Sequence, residues 1–141
     1  MRLIFKMKKS NIFFSFIIIF LVSCLGSCQK APINGYLDGK WQLLEIDRDG
    51  VVENVKDNQR YYNFSLHVCS LSYYGGVLTE GNLRFDGETI WMEFPYINEN
   101  AIQRLAPYGI YSNPVEFQVL FLNKQSMILQ DGNLILTFRK F

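Results

Sequence analysis

Two thiols stand four residues apart in LVSCLGSCQK, residues 21–30, and each follows small residues at the end of an apolar run. A thiolate so placed is a nucleophile beside a cleavage point, where it can be alkylated while the chain is cut on its N-terminal side. Other chemistry has thinner material. His67 is the sole histidine and lies two residues from Cys69. Side chains at i and i+2 of a strand share a face yet stand roughly 6–7 Å apart, too far for a nucleophile and base to meet. Glu93 and Glu116 are the carboxylates that a glycosidase-like pair would draw on, but both fall at polar positions of alternating stretches and read as solvated groups. One imidazole and one internal thiol are too few ligands for a metal centre, and the chain holds no HExxH, phosphate loop or Ser-His-Asp set. No catalytic residue, cofactor or metal is expected.

The leader gives the thiols their meaning. Arg2, Lys6, Lys8 and Lys9 precede residues 12–22, which are apolar apart from Ser15. A basic start, a short apolar core and small residues are the grammar of a secretory signal, and the core falls short of the roughly 20 residues that span hydrocarbon. Leu21-Val22-Ser23-Cys24 and Leu25-Gly26-Ser27-Cys28 both resemble the lipobox of bacterial lipoproteins. The resemblance implies a diacylglyceryl group on the cysteine, cleavage just before it and acylation of the new amine, with palmitate among the chains. Cys24 abuts the apolar core and is the expected site; Cys28, with equally acceptable neighbours, is the alternative. Each buried methylene contributes about 0.8 kcal/mol and one chain binds only marginally, so two or three make a lasting anchor. The chain then divides into a signal peptide at 1–23, a lipidated cysteine with its tether at 24–36 and a domain at 37–141. The place expected for it is the bacterial outer membrane, on either its periplasmic or its surface face.

Charge narrows the partners. Of 14 basic and 13 acidic residues, four basic ones sit in the leader, which leaves 10 against 13. A mildly acidic domain without a basic run is a poor binder of nucleic acid. About 105 residues make one domain with a single core, expected to be a monomer, and with Cys69 as its only cysteine it has no disulfide framework.

The domain alternates with period two. In YYNFSLHVCS, Tyr62, Phe64, Leu66 and Val68 point one way and Asn63, Ser65, His67 and Cys69 the other. In VEFQVLFLN, Val115, Phe117, Val119 and Phe121 oppose Glu116 and Gln118; in ETIWMEF, Ile90, Met92 and Phe94 oppose Thr89, Trp91 and Glu93. Asp49-Gly50, Asp86-Gly87 and Asp131-Gly132 fall between such stretches and supply the positive φ angles of type I′ hairpin turns. Strands are expected at 40–47, 51–55, 60–69, 71–74, 77–86, 88–94, 115–122 and 126–130, with 133–141 as a ninth or as the closing strand. Only 98–109 breaks the pattern; Asn98 or Asn100 as an N-cap, Ala101 and Leu105 four apart and Pro107 as a stop suit a turn or two of helix, either a cover for one end of the sheet or a lid over a cavity. The fold class is all-β, a small antiparallel up-and-down barrel of about eight strands with one short helix before the last strands.

Gly39-Lys40-Trp41 at the start of the first strand resembles the G-x-W motif of the lipocalins, and Arg139 on the last strand is where an arginine could pack over that tryptophan. The likeness is to short lipocalin-like lipoproteins of Gram-negative outer membranes, without a clear T-D-Y segment. It implies that Gly39, Trp41 and Arg139 close the base of the barrel, with an indole–guanidinium contact of about 0.5–2 kcal/mol. The inward residues Phe64, Leu66, Met92, Phe117 and Phe121 are the candidate ligand pocket. Tyr61, Tyr73, Tyr74, Trp91, Tyr96, Tyr108 and Tyr111 fall on polar faces or in loops, where aromatic area suits sugar rings, peptides or partner proteins. Two functions follow. One is a barrel that holds a small apolar or amphipathic ligand; the other is a filled barrel that presents its surface to an envelope protein.

Overall fold

The computed structural model describes residues 33–141; the signal peptide, Cys24 and Cys28 lie outside the described residues. Nine strands form one antiparallel sheet: β1 (Gly39–Arg48), β2 (Val51–Asn54), β3 (Arg60–Ser65), β4 (Val68–Tyr73), β5 (Gly76–Phe85), β6 (Thr89–Glu93), β7 (Val115–Leu122), β8 (Ser126–Asp131) and β9 (Leu134–Lys140). β1 pairs with β9 from Trp41↔Lys140 to Arg48↔Leu134, with one irregularity between Leu43 and Glu45, and so shuts the sheet on itself. On its other edge β1 serves two partners. Its first half meets β3, with Gly39↔Phe64 and Gln42↔Tyr61, and its second half meets β2, with Glu45↔Asn54 and Arg48↔Val51. The barrel therefore has eight strands, and β2 with the turn Lys56–Asn58 flares from it.

Local chemistry explains the corners. At Asp49-Gly50 both residues have positive φ, 54° and 88°, as a type I′ turn needs. At Asp86-Gly87 and Asp131-Gly132 the hairpins form with positive φ at the glycine alone, so the expected I′ geometry is corrected there. Asp86 instead accepts the amides of Glu88 and Thr89 (2.9 and 2.7 Å) at its Oδ1.

The expected strand 60–69 is two strands. Leu66, with φ 54°, and His67 make a two-residue turn, after which Phe64 pairs with Cys69 and Ser65 with Val68. The turn shifts the alternation by one: Cys69 is buried in the core, while Leu66 and Val68 are exposed. A second slip lies in β7, where Leu120 is an extra residue between the pairs Val119↔Leu129 and Phe121↔Ile128. Such a bulge reverses the faces beyond it, and Phe121 points outward.

The stretch Glu99–Tyr108 is a 3-10 helix that ends at Gly109 in the left-handed region, φ 77°. Leu105, Tyr108 and the following Ile110 are buried within the main core, and a Cβ on Gly109 would come within 2.5 Å of Leu136 Cδ2. Tyr62 donates its hydroxyl to the Tyr108 carbonyl, and Tyr108 donates its own to the Ser72 carbonyl (3.0 Å). Asn113 ties the segment to β6 through Phe94 N (2.9 Å), Phe94 O (2.9 Å) and Ile97 O (3.0 Å). The segment is a plug that completes the core. Leu105→Ala should therefore cost about 2–5 kcal/mol, read from the denaturant midpoint; a loss under about 1 kcal/mol would mean that the plug swings clear of the barrel.

Candidate functional site

The base of the barrel is built on Trp41. Its indole is fully buried and donates Nε1–H to the Leu37 carbonyl at 2.8 Å. The cation over the ring is Lys140, with Nζ 4.4 Å from the centroid. Lys140 also donates to the Tyr36 carbonyl (3.0 Å) and the Asp38 carbonyl, and burial lowers its pKa, partly countered by the charge of Asp38. The expectation that Arg139 packs over Trp41 is corrected by register: Trp41 pairs with Lys140, and Arg139 pairs with Gln42 on the opposite face. Gly39 has φ 127°, and a Cβ there would sit 2.7 Å from Lys140 Cε, so the glycine makes room for this cation.

Above the base the interior is full. Trp41, Leu43, Leu71, Ile90, Met92, Phe94, Leu105, Ile110, Phe117, Met127, Leu129 and Leu136 have no accessible surface. A hollow wide enough for one water molecule would leave accessible area on the residues lining it, and these have none. Of the pocket candidates, Phe64, Met92 and Phe117 are brought together in this core. Leu66 (55% exposed) and Phe121 (47%) are outside it, for the turn and the bulge described above. Polar atoms inside are matched: among the described residues no buried side-chain nitrogen or oxygen lacks a partner. Burial pushes the Tyr108 hydroxyl and the Cys69 thiol each up to about 12, and it also holds the Tyr62 hydroxyl well above the ordinary phenol value.

The outer surface holds what the interior does not. Arg84 stacks on Trp91 at 3.9 Å beside Glu116, around an open hollow of about 420 Å³. A larger one, about 480 Å³, is lined by Gln42, Lys56, Asp57, Gln59, Tyr61, Tyr74, Arg139 and Phe141. There Arg139 Nε donates to Gln42 Oε1 (2.8 Å), and Gln42 Nε2 donates to the Lys56 carbonyl (3.1 Å). Tyr73, Tyr74, Tyr96 and Tyr111 are exposed as expected, whereas Tyr61 and Tyr108 are buried. His67 is in the β3–β4 turn and no longer shares a face with Cys69; Glu93 and Glu116 occupy the outer wall of β6 and β7, with Glu116 paired to Trp91. Among the described residues no group of three or more His, Cys, Asp or Glu is placed to hold a metal. Sequence reasoning missed Gln42 and Lys140. The signal for both was the register of the first and last strands, which alternation alone does not set.

A closed eight-stranded antiparallel barrel with a buried indole at the base of its first strand is the architecture of the lipocalin-like class. The chain belongs to the family of lipocalin-like domains, whose model matches residues 21–141. Among solved structures it is similar to a lipocalin-like protein from Bacteroides uniformis, 27% identical, with a TM-score of 0.62 over 76% of this chain and 100% of that one. An uncharacterized protein from Bacteroides eggerthii, 21% identical, shares the fold with a TM-score of 0.62 over 74% of this chain and 99% of that one. The curated proteins include no match.

Two expectations follow from the base and core. Trp41→Ala should cost about 3–5 kcal/mol, the range for a buried large aromatic; a loss under about 1 kcal/mol in chemical denaturation would contradict the seat described for it. Cys69 should resist thiol reagents at neutral pH until the protein unfolds. Its folded pKa of about 12 lies above the ordinary value of 9.0, so between those values the unfolded chain loses a proton that the folded one keeps. Stability is then intact below pH 9 and falls as pH rises toward 12. A Cys69→Ser variant should lose part of that alkaline slope, measured by denaturation at a series of pH values.

Proposed function

We propose that this chain is a lipid-anchored, non-catalytic recognition module of the bacterial envelope, whose filled barrel offers its outer wall to a ligand or partner. The observation that carries the reading is the absence of accessible surface on the inward side chains. A small-molecule site is a concavity that buries most of its ligand, and an apolar guest would have to displace Met92, Phe117 or the plug at Leu105 and Tyr108. Displacing such a core costs several kcal/mol for each large side chain. The barrel therefore works as a scaffold, monomeric and rigid, with its contacts on the outside.

The lipobox at 21–28 supports the anchor, with Cys24 as the acylated thiol and the outer membrane as the place. Metabolic labelling with a fatty-acid analogue tests it: Cys24→Ala should lose the label and Cys28→Ala should keep it. The reverse pattern moves the anchor to Cys28, and an unlabelled wild type overturns the lipoprotein reading. The scaffold role is tested by thermal shift. Fatty acids, isoprenoids, sterols and tetrapyrroles should leave the midpoint in place, whereas a ligand held inside would raise stability by about 2.7 kcal/mol at a hundredfold excess over Kd.

A further inference from the structure

The larger outer hollow, where the Lys56–Asn58 turn lies beside β1 and β9, holds groups that packing does not use. Its floor is a relay. Gln42, 4% exposed, spends both ends of its amide on the Lys56 carbonyl and on Arg139 Nε. The relay orients the guanidinium through one of its five N–H groups and leaves those on Nη1 and Nη2 without an acceptor among the described residues. The rim is aromatic: Tyr74 is 80% exposed, and Phe141, also exposed, meets the Tyr61 ring edge-on at 5.0 Å. The side chains of Lys56, Asp57 and Gln59 complete the lining, and the described residues give them no hydrogen bond or ion pair.

Each feature asks something of a ligand. An oriented guanidinium with free edges recognises a carboxylate by two parallel hydrogen bonds. Exposed tyrosine and phenylalanine rings take a flat, partly apolar face that keeps its polar edge in water. Asp57 in the same groove would repel a bare acid, so the ligand must bring hydroxyl donors beside its carboxylate, and Lys56 and Gln59 are placed to meet acceptors. A long acyl chain leaves all of these polar groups unmatched. A neutral sugar offers Arg139 only uncharged hydroxyl oxygens in place of a bidentate carboxylate. A peptide terminus supplies the acid, but the open groove gives its side chains no enclosed pocket. A pyranose ring bearing a carboxylate satisfies every group, and about 480 Å³ lies within the usual range of small-ligand sites.

We infer that this groove binds an acidic saccharide, a uronic-acid residue whose carboxylate meets Arg139 and whose ring lies over Tyr74. The inference rests on the reading of the barrel as an outward-facing recognition module. Calorimetric titration of the full chain in detergent with an oligogalacturonate tests it, with a galactan oligosaccharide of equal length and a short peptide ending in a free carboxylate as the other arms. Binding of the oligogalacturonate is expected, at least about tenfold tighter than the galactan, a gap of about 1.4 kcal/mol. Arg139→Gln should erase that preference, and Tyr74→Ala should weaken the acidic and the neutral sugar alike. Tyr74 is so exposed that its removal leaves the fold intact, so it carries the test if Arg139→Gln lowers the thermal midpoint. No binding of the oligogalacturonate, affinity unchanged in either folded variant, or tighter binding of the peptide would each overturn the inference. A fatty acid that raises the midpoint while the sugar still binds would sink the filled-scaffold reading and leave this site standing.

Discussion

An eight-stranded barrel is just wide enough to be filled by its own side chains or to hold one small ligand, and in this one buried side chains take up the centre. Everything else in this molecule follows from that limit. Trp41, Tyr62, Phe64, Phe94, Phe117 and Phe138 take up most of the width, and the Tyr62 ring meets those of Phe138 (4.8 Å) and Phe64 (6.1 Å) edge-on. Two tyrosine hydroxyls inside so dry a core need acceptors, since a buried unpaired hydroxyl costs about 1–3 kcal/mol. They find them on the Tyr108 and Ser72 carbonyls. The same bonds join the plug to the barrel wall, so satisfying the core's polar atoms also seals its upper end.

The seam between β1 and β9 decides which residues belong to the base and which to the surface. Successive side chains of a strand alternate faces, so one step of register exchanges their tasks. With Trp41 opposite Lys140, the lysine lies over the indole and spans the carbonyls of Tyr36 and Asp38. Arg139, one residue earlier, is turned outward to Gln42. The base thus uses a compact ammonium on a flexible stem, and the planar fork of Arg139 is left on the outer wall.

Much of this was legible in the sequence. The all-β class, the closing role of Gly39 and Trp41, the inward set Ile90, Met92, Phe94, Val115 and Phe117, and a helical cover before the last strands all follow from alternation, turn residues and one motif. What the sequence hid was interruption. Leu66 has a positive φ that Gly or Asn adopts more readily, so apolar alternation ran straight through the β3–β4 turn and put Cys69 on the wrong face. The bulge at Leu120 left no residue signature and reversed Phe121 in the same way. Burial of Tyr61 and Tyr108 was equally hidden, because it comes from distant partners: the Ser72 carbonyl takes the Tyr108 hydroxyl, and Phe141 and Lys40 lie against the Tyr61 ring. Gln42 carries no signal of its own in the sequence; only the pairing of β1 with β9 and the Lys56–Asn58 turn together give it two partners.

A filled barrel changes what rigidity is for. In a barrel with a hollow, stiff walls define the shape of the guest; here they fix the spacing of groups on the outside. Association costs free energy for every side chain that must be immobilised, roughly 0.5–1.5 kcal/mol apiece. Gln42 removes part of that cost at Arg139, because the guanidinium is already tethered to an amide that is itself held by backbone. Lys40 acts similarly on the rim, with Nζ 4.3 Å from the Tyr61 ring and 4.8 Å from the Phe141 ring. These contacts bring three elements, the ends of β1, β3 and β9, into one ordered patch whose alignment depends on the packing beneath. Loosening the core at Trp41 would therefore blur the outer groove as well, because the groups on the outer wall are spaced by the packing beneath them.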